Sequence, residues 1–148
     1  DNKVSTRVTQ TSVIVKSGLP LGSAAVQSRA EAAAERALTQ QARHLLPQRL
    51  AELARKHGYS YQSVKIKKLT SRWGSCSSQQ DISLSYFLIQ LPWHLIDYVL
   101  VHELVHTRHL NHSPAFWNEM TARVPSVKAL RKEIKSHKPS LQISGHVS

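Results

Sequence analysis

Two histidines four residues apart, with a glutamate beside the first, are the side chains of this sequence best suited to chemistry. They are His102, Glu103 and His106, in the stretch His102-Glu103-Leu104-Val105-His106. On a helix, positions i and i+4 lie one turn apart on one face, so two imidazoles there can grip one metal ion. Glu103 is then the candidate general base for a water activated by that ion. A catalytic zinc site takes three protein ligands and keeps a fourth position open. His109 and His112 are both near enough in sequence to be the third ligand. His109 continues the helical face of His102, but seven residues rise about 10.5 Å along a helix, and zinc–nitrogen bonds are about 2.0–2.1 Å. Histidines stacked along a straight helix at those three positions cannot share an ion, so the third ligand must come from chain that has turned back. Asn111 tolerates the left-handed conformation that ends helices, and Pro114 disfavours helical geometry at Ser113. His112 is therefore the expected third ligand, and one zinc per chain the expected cofactor.

The spacing from His102 through His106 to His112 matches the metzincin pattern H-E-x-x-H-x-x-G-x-x-H, except that His109 stands at its glycine. Met120, the only methionine, follows too closely for a Met-turn. A metzincin is not expected.

These residues need a scaffold. Pro92 fits the first position of the helix that carries the histidines. On that helix Trp93, Ile96, Leu100 and Leu104 share one face, and His102 and His106 share another with Leu95, Tyr98 and Val99. A helix apolar almost all round belongs at the centre of a fold. Asp97 projects away from the histidines and is expected to pair with Arg72 or a backbone amide rather than with metal. Ser113 and Pro114 should start the next helix as N-cap and first residue. That helix would bring Phe116 and Trp117 under the metal, and Glu119 close enough to orient a ligand histidine.

Upstream, Ser28-x-x-Glu31 has the form of a capping box. An alanine-rich helix follows, expected over 28–45 and 47–57, or as one helix kinked at Pro47. Gly58 should stop it, and Leu38, Leu45, Leu46, Leu50 and Leu53 form its core-facing stripe. Val64 to Leu69 and Ile82 to Tyr86 alternate like strands with one wet face. They are expected to pair antiparallel across a turn at Trp73-Gly74-Ser75. An edge strand of such a sheet can hold an extended peptide by main-chain hydrogen bonds. Arg72 and Tyr86 are candidate oxyanion stabilisers. His109 is expected to line the cleft or to cover the helix end. Cys76 is expected to be a small buried residue after a tight turn, not a nucleophile. Val127 to Ser136 should form a basic terminal helix. The expected organisation is an N-terminal segment over 1–27, with one short strand at most around Val13-Ile14-Val15, a domain over 28–138 and a loose tail over 139–148.

The chain has 148 residues, enough for one domain with a real core. No apolar run is long enough for a transmembrane helix, and no leader pattern is visible. With the single cysteine, this fits a reducing cytoplasm. The 20 Lys+Arg against 9 Asp+Glu favour polyanionic partners such as DNA or nucleotides, or simply solubility. Lys65, Lys67, Lys68 and Arg72 form one local cluster, without a nucleic-acid-binding motif beside it.

Several segments taken together resemble the YgjP-like metallopeptidase family, which is related to the SprT and WLM zinc proteases. They are Ser71-Arg72-Trp73-Gly74-Ser75-Cys76-Ser77, Ile82-Ser83-Leu84, Leu91-Pro92, Asp97-Tyr98-Val99, His102 to His106, and Asn111-His112-Ser113-Pro114-Ala115-Phe116-Trp117. The likeness spans about Tyr59 to Leu130, and Ser85 departs from it where the family usually has asparagine. It implies an α+β, small zincin-like domain, with a short antiparallel sheet packed on a central HExxH helix and further helices. It also implies zinc at His102, His106 and His112, with Glu103 as the catalytic glutamate. Zinc-dependent hydrolysis of a peptide or protein substrate is thus the leading expectation. A nucleotide phosphoanhydride hydrolase on the same metal site and a zinc-stabilised nucleic-acid-binding module are the alternatives.

Overall fold

The computed structural model describes residues 24–142. The chain is α+β: a long helix α1 (Ala24–His57), strands β1 (Ser63–Lys67), β2 (Gly74–Cys76) and β3 (Asp81–Ser85), a 3-10 turn (Tyr86–Gln90), and helices α2 (Trp93–His106), α3 (Pro114–Arg123) and α4 (Val127–Ile134). The apolar run at residues 13–15 lies outside the described residues.

α1 runs for 34 residues without a break at Pro47, as the single-helix alternative had it, rather than as two helices. Proline removes one backbone bond and crowds the preceding turn. The buried stripe Leu38, Ala42, Leu46, Leu50 and Leu53 continues across it and keeps both halves on the core. Ser28 lies inside this helix, so the capping box expected there does not start it. The helix ends as expected. Gly58 takes φ +77°, and the Tyr59 amide reaches back to the Ala54 carbonyl at 2.8 Å, the bond of a Schellman cap.

The sheet corrects the expected strand pairing. Its order is β1-β3-β2: β1 pairs with β3 in parallel, and β2 pairs with β3 antiparallel. Gly74 and Ser75 of the expected turn instead begin β2, directly after Trp73. The true reversal is at Ser77–Gln80, where the Ser77 hydroxyl accepts the amides of Gln79 and Asp81 and Gln80 adopts φ 67°. This hairpin gives one edge of β3 to β2, and β1 can reach only the other edge, running the same way.

Ile82 and Leu84 of β3, Leu88 and Ile89 of the 3-10 turn, and Leu46 and Leu50 of α1 are fully buried around α2. Leu95, Ile96, Leu100 and Leu104 bury α2 in turn, making it the centre of the fold. Its first helical residue is Trp93, and Pro92 is the cap, one position earlier than expected. Asp97 meets Arg49 of α1 rather than Arg72, in a two-pronged contact at 2.8 and 2.7 Å that ties the two helices together. The chain after Pro139, expected to be loose, is held as far as Gln142, because the Gln90 side chain bonds the Ser140 carbonyl at 2.7 Å and the Gln142 amide at 2.8 Å. Among the described residues no helix is long and apolar enough to cross a membrane.

Candidate metal centre and active cleft

α2 delivers His102, Glu103 and, as its last residue, His106. The Thr107 cap then closes the helix, and the chain turns back so that His112 arrives just before Ser113. The Ser113 side chain caps α3 by accepting the Phe116 amide, with Pro114 in the first turn, as expected. The result is a triangle. The Nε2 atoms of His102, His106 and His112 are each 3.1 Å from the other two. Three nitrogens at tetrahedral corners around an ion, with bonds of about 2.0–2.1 Å, would stand about 3.3 Å apart. The side chains present therefore fit a small cation.

The surroundings keep those nitrogens available. His106 Nδ1 donates to the His109 carbonyl at 2.8 Å, so the Nε2 of its neutral ring carries a lone pair turned into the triangle. Phe116 stacks on His106 with ring centroids 4.5 Å apart and meets His102 and His112 edge-on at 5.0 and 4.9 Å. Trp117 stacks on His112. The aromatic floor expected from α3 is thus in place. Burial, then the neighbouring His106 and His112, pushes the His102 imidazole down to about 3. Burial lowers His106 as well. The His102 ring is thus held neutral at ordinary pH, as a ligand must be.

Glu103 lies beside them, only 4% exposed. Its Oε1 is buried without a hydrogen-bond partner. Burial pushes its carboxyl up to about 8, although the nearby Arg72 charge works against this. Such an orphaned acceptor calls for a donor or a cation in the cleft. Gly74 of β2 lets the strand come this close, because a Cβ there would stand 3.1 Å from the Ser83 carbonyl oxygen and 3.2 Å from both Cγ and Oε2 of Glu103.

The cleft in front encloses about 470 Å³. Residues 72–76 form one wall, and the three histidines with Glu103 form the base. Tyr98, Val99, Leu110 and Ile134 supply apolar surface. Sequence reasoning did not single out Leu110 or Ile134. Tyr98 had a signal, since it precedes His102 by one helical turn on the same face. Arg72 does line the cleft. Tyr86 does not: its hydroxyl donates to Glu35 of α1 at 2.6 Å, because the 3-10 turn that carries it packs on that helix. Glu119 touches no ligand ring either. It accepts from Tyr59, from Arg108 at 3.1 Å and, at 2.9 Å, from the Nε2 of His109. Its hold on the metal side is indirect, through His109, whose carbonyl orients His106. His109 therefore covers the end of α2 rather than lining the cleft. Cys76 does line the cleft, half-buried, and burial with the nearby Glu103 and Asp81 carboxylates pushes its thiol up to about 11, so it is an unreactive thiol.

The metal-free protein should show this in its pH–stability profile. Glu103 has a folded pKa raised above its unfolded value, so it weakens the fold as pH climbs from about 4.5 towards about 8. His102 has a depressed folded pKa, so it weakens the fold as pH falls from about 6.5 towards about 3. Their effects oppose each other where these ranges overlap, from about 4.5 to about 6.5. The melting temperature of chelator-treated protein should therefore peak in mildly acidic buffer and drop by several degrees by pH 8. Glu103→Gln should flatten the alkaline side. A profile unchanged by that substitution would mean that Glu103 is not buried as described.

Residues 4–137 match the profile of the YgjP-like metallopeptidase domain. No curated protein matches the chain. Among solved structures, the fold is similar to the crystal structure of the metallopeptidase zymogen of Pyrococcus abyssi abylysin. The TM-score is 0.55 at 24% sequence identity, covering 62% of this chain and 93% of that one.

Proposed function

Because this chain belongs to the YgjP-like metallopeptidase family, we propose that it hydrolyses peptide bonds with one zinc ion held by His102, His106 and His112. The observation that carries this reading is the triangle of Nε2 atoms beside a buried, unpartnered glutamate. An all-imidazole donor set suits zinc better than magnesium or calcium, which prefer oxygen ligands. Bound zinc would supply a Lewis acid for the substrate carbonyl and lower the pKa of water to about 7.

The chain's own residues do the rest. Glu103 takes the proton from the attacking water and passes it to the leaving amine. A raised proton affinity suits it to that return step, and a cation in front of it would bring it back towards ionisation. Arg72 lines the same cleft and would steady negative charge on the carbonyl oxygen. Among the described residues β2 is one of the two edge strands of the sheet. Trp73 and Ser77 bond across to β3, so the alternating ladder turns the N–H and C=O groups of Gly74 and Cys76 towards the free edge. An extended peptide can pair there as an added strand. The similarity in fold to the abylysin metallopeptidase zymogen supports the same reading.

Two alternatives are less well supported. Among the described residues Glu103 is the only acidic one lining the cleft, which is poor provision for magnesium-assisted nucleotide hydrolysis. A purely structural zinc would be closed by four protein ligands, whereas the candidate ligand group among the described residues has three, facing an open cleft. The direct test is to load the chain with zinc and follow cleavage of an unfolded protein and, separately, of a nucleoside triphosphate. Proteolysis that a chelator stops and zinc restores is expected. Release of phosphate without proteolysis would overturn the proposal.

A further inference from the structure

The cleft does not end at β2. Beyond it, on the outer face of the sheet, a second groove of about 490 Å³ shares Arg72, Ser75 and Cys76 with the cleft and adds Lys65 and Lys67. The strand register explains its shape. Lys65 of β1 lies level with Ser83 of β3, and Ser83 lies level with Ser75 of β2. Two small serines thus separate the lysine from the free edge, and its long side chain can extend over them.

These cations are available. Lys65, Lys67 and Arg72 are exposed, and none is in an ion pair among the described residues. Lys68 is not part of the set, because it turns the other way to Glu35 at 3.0 Å. The one acidic residue of the groove among the described residues, Asp81, sits at its hairpin end, where it accepts from the Ser63 hydroxyl at 2.6 Å.

We infer that this outer face, built from Lys65 and Lys67 over Ser75 and Ser83 with Arg72 at its border with the cleft, recognises carboxylate side chains of a peptide running along β2. The inference rests on the proposed peptidase reading and names its substrate class. Side chains of an added strand alternate in direction. Those level with Gly74 and Cys76 turn towards Glu103 and the apolar cleft. Those level with Ser75 turn to the basic groove. The preferred substrate is therefore an extended segment in which acidic residues alternate with apolar ones. A nucleic acid would use the same charges, but continuity with the cleft and the peptide-sized period of the edge favour a polypeptide.

The test uses the zinc-loaded full chain and three fluorogenic peptides that carry Glu, Gln or Lys at both positions flanking a central leucine. In low salt, kcat/KM should fall in that order, by about tenfold from Glu to Lys, and the spread should shrink as salt is added. The double charge reversal Lys65→Glu with Lys67→Glu should remove or invert the order. Lys65→Gln with Lys67→Gln should reduce it and serves if the reversal fails to fold. Binding of the same peptides to zinc-loaded Glu103→Gln, read by fluorescence anisotropy, separates recognition from hydrolysis. Selective binding of the Glu peptide that depends on the two lysines, without any cleavage by wild type, would support the surface and sink the peptidase reading. Cleavage with no preference among the peptides, or a preference untouched by the lysine substitutions, would overturn the surface. Lysine-dependent binding of a single-stranded oligonucleotide with no discrimination among the peptides would overturn it in favour of nucleic acid.

Discussion

Glu103→Gln should cut peptide hydrolysis by about 10²–10⁴-fold, the range that a positioned general base supplies, while zinc content stays at about one per chain. Glutamine keeps the shape that Gly74 accommodates but cannot accept the proton. The three imidazoles do not depend on Glu103 for their geometry: His106 is set by the His109 carbonyl, and the triangle rests on Phe116 and Trp117. Elemental analysis and a turnover assay on the same preparation check both halves. Full activity in the variant would remove Glu103 from the mechanism. Loss of zinc would make it part of the metal's support instead.

Replacing a ligand should have the opposite signature. His106→Ala should lower metal affinity by more than the roughly 10–100-fold attributed to partners behind a ligand, and activity should be lost with the metal. Saturating zinc should raise the melting temperature of wild type, since a ligand at a thousand times its Kd contributes about 4 kcal/mol, and this gain should vanish in the variant. His106→Ala should also weaken the metal-free fold, because the ring is buried against Phe116. His112→Ala should cost the metal with less effect on the metal-free fold, because His112 is exposed. Zinc bound equally by wild type and both variants would place the ion elsewhere.

Local chemistry made the centre of the molecule legible in advance. The histidine pair on one helical face, the turn-back that brings in His112 and the Ser113–Pro114 helix start depend on short-range geometry that sequence spacing encodes. Long-range choices were not encoded in that way. Alternation marks Val64 to Lys67 and Ile82 to Ser85 as strands but carries no information on which edge of β3 each neighbour takes, and three residues of β2 are too few to show a period. Asp97 found Arg49 rather than Arg72 because the crossing of α1 over α2 decides its partner. Tyr86 was misplaced for a related reason. Whether a tyrosine after a strand faces the cleft or the helix behind it depends on the 3-10 turn that follows, and no local pattern announces that turn.

The mixed sheet also has a consequence for the order in which the molecule assembles. β2 and β3 are joined by a four-residue turn at Ser77–Gln80, so their pairing is a local event of the hairpin kind, which forms in about 1–10 μs. β1 and β3 meet across a longer detour and in parallel, with Ser63 opposite Asp81, so their contact pays a larger loop-closure cost before it gains anything. The edge that faces Glu103 is thus encoded nearby in the chain, and the lysine-bearing strand docks onto a ribbon already made. Substitutions that weaken the Ser77–Gln80 turn should slow folding, because they deplete the ribbon onto which β1 must dock.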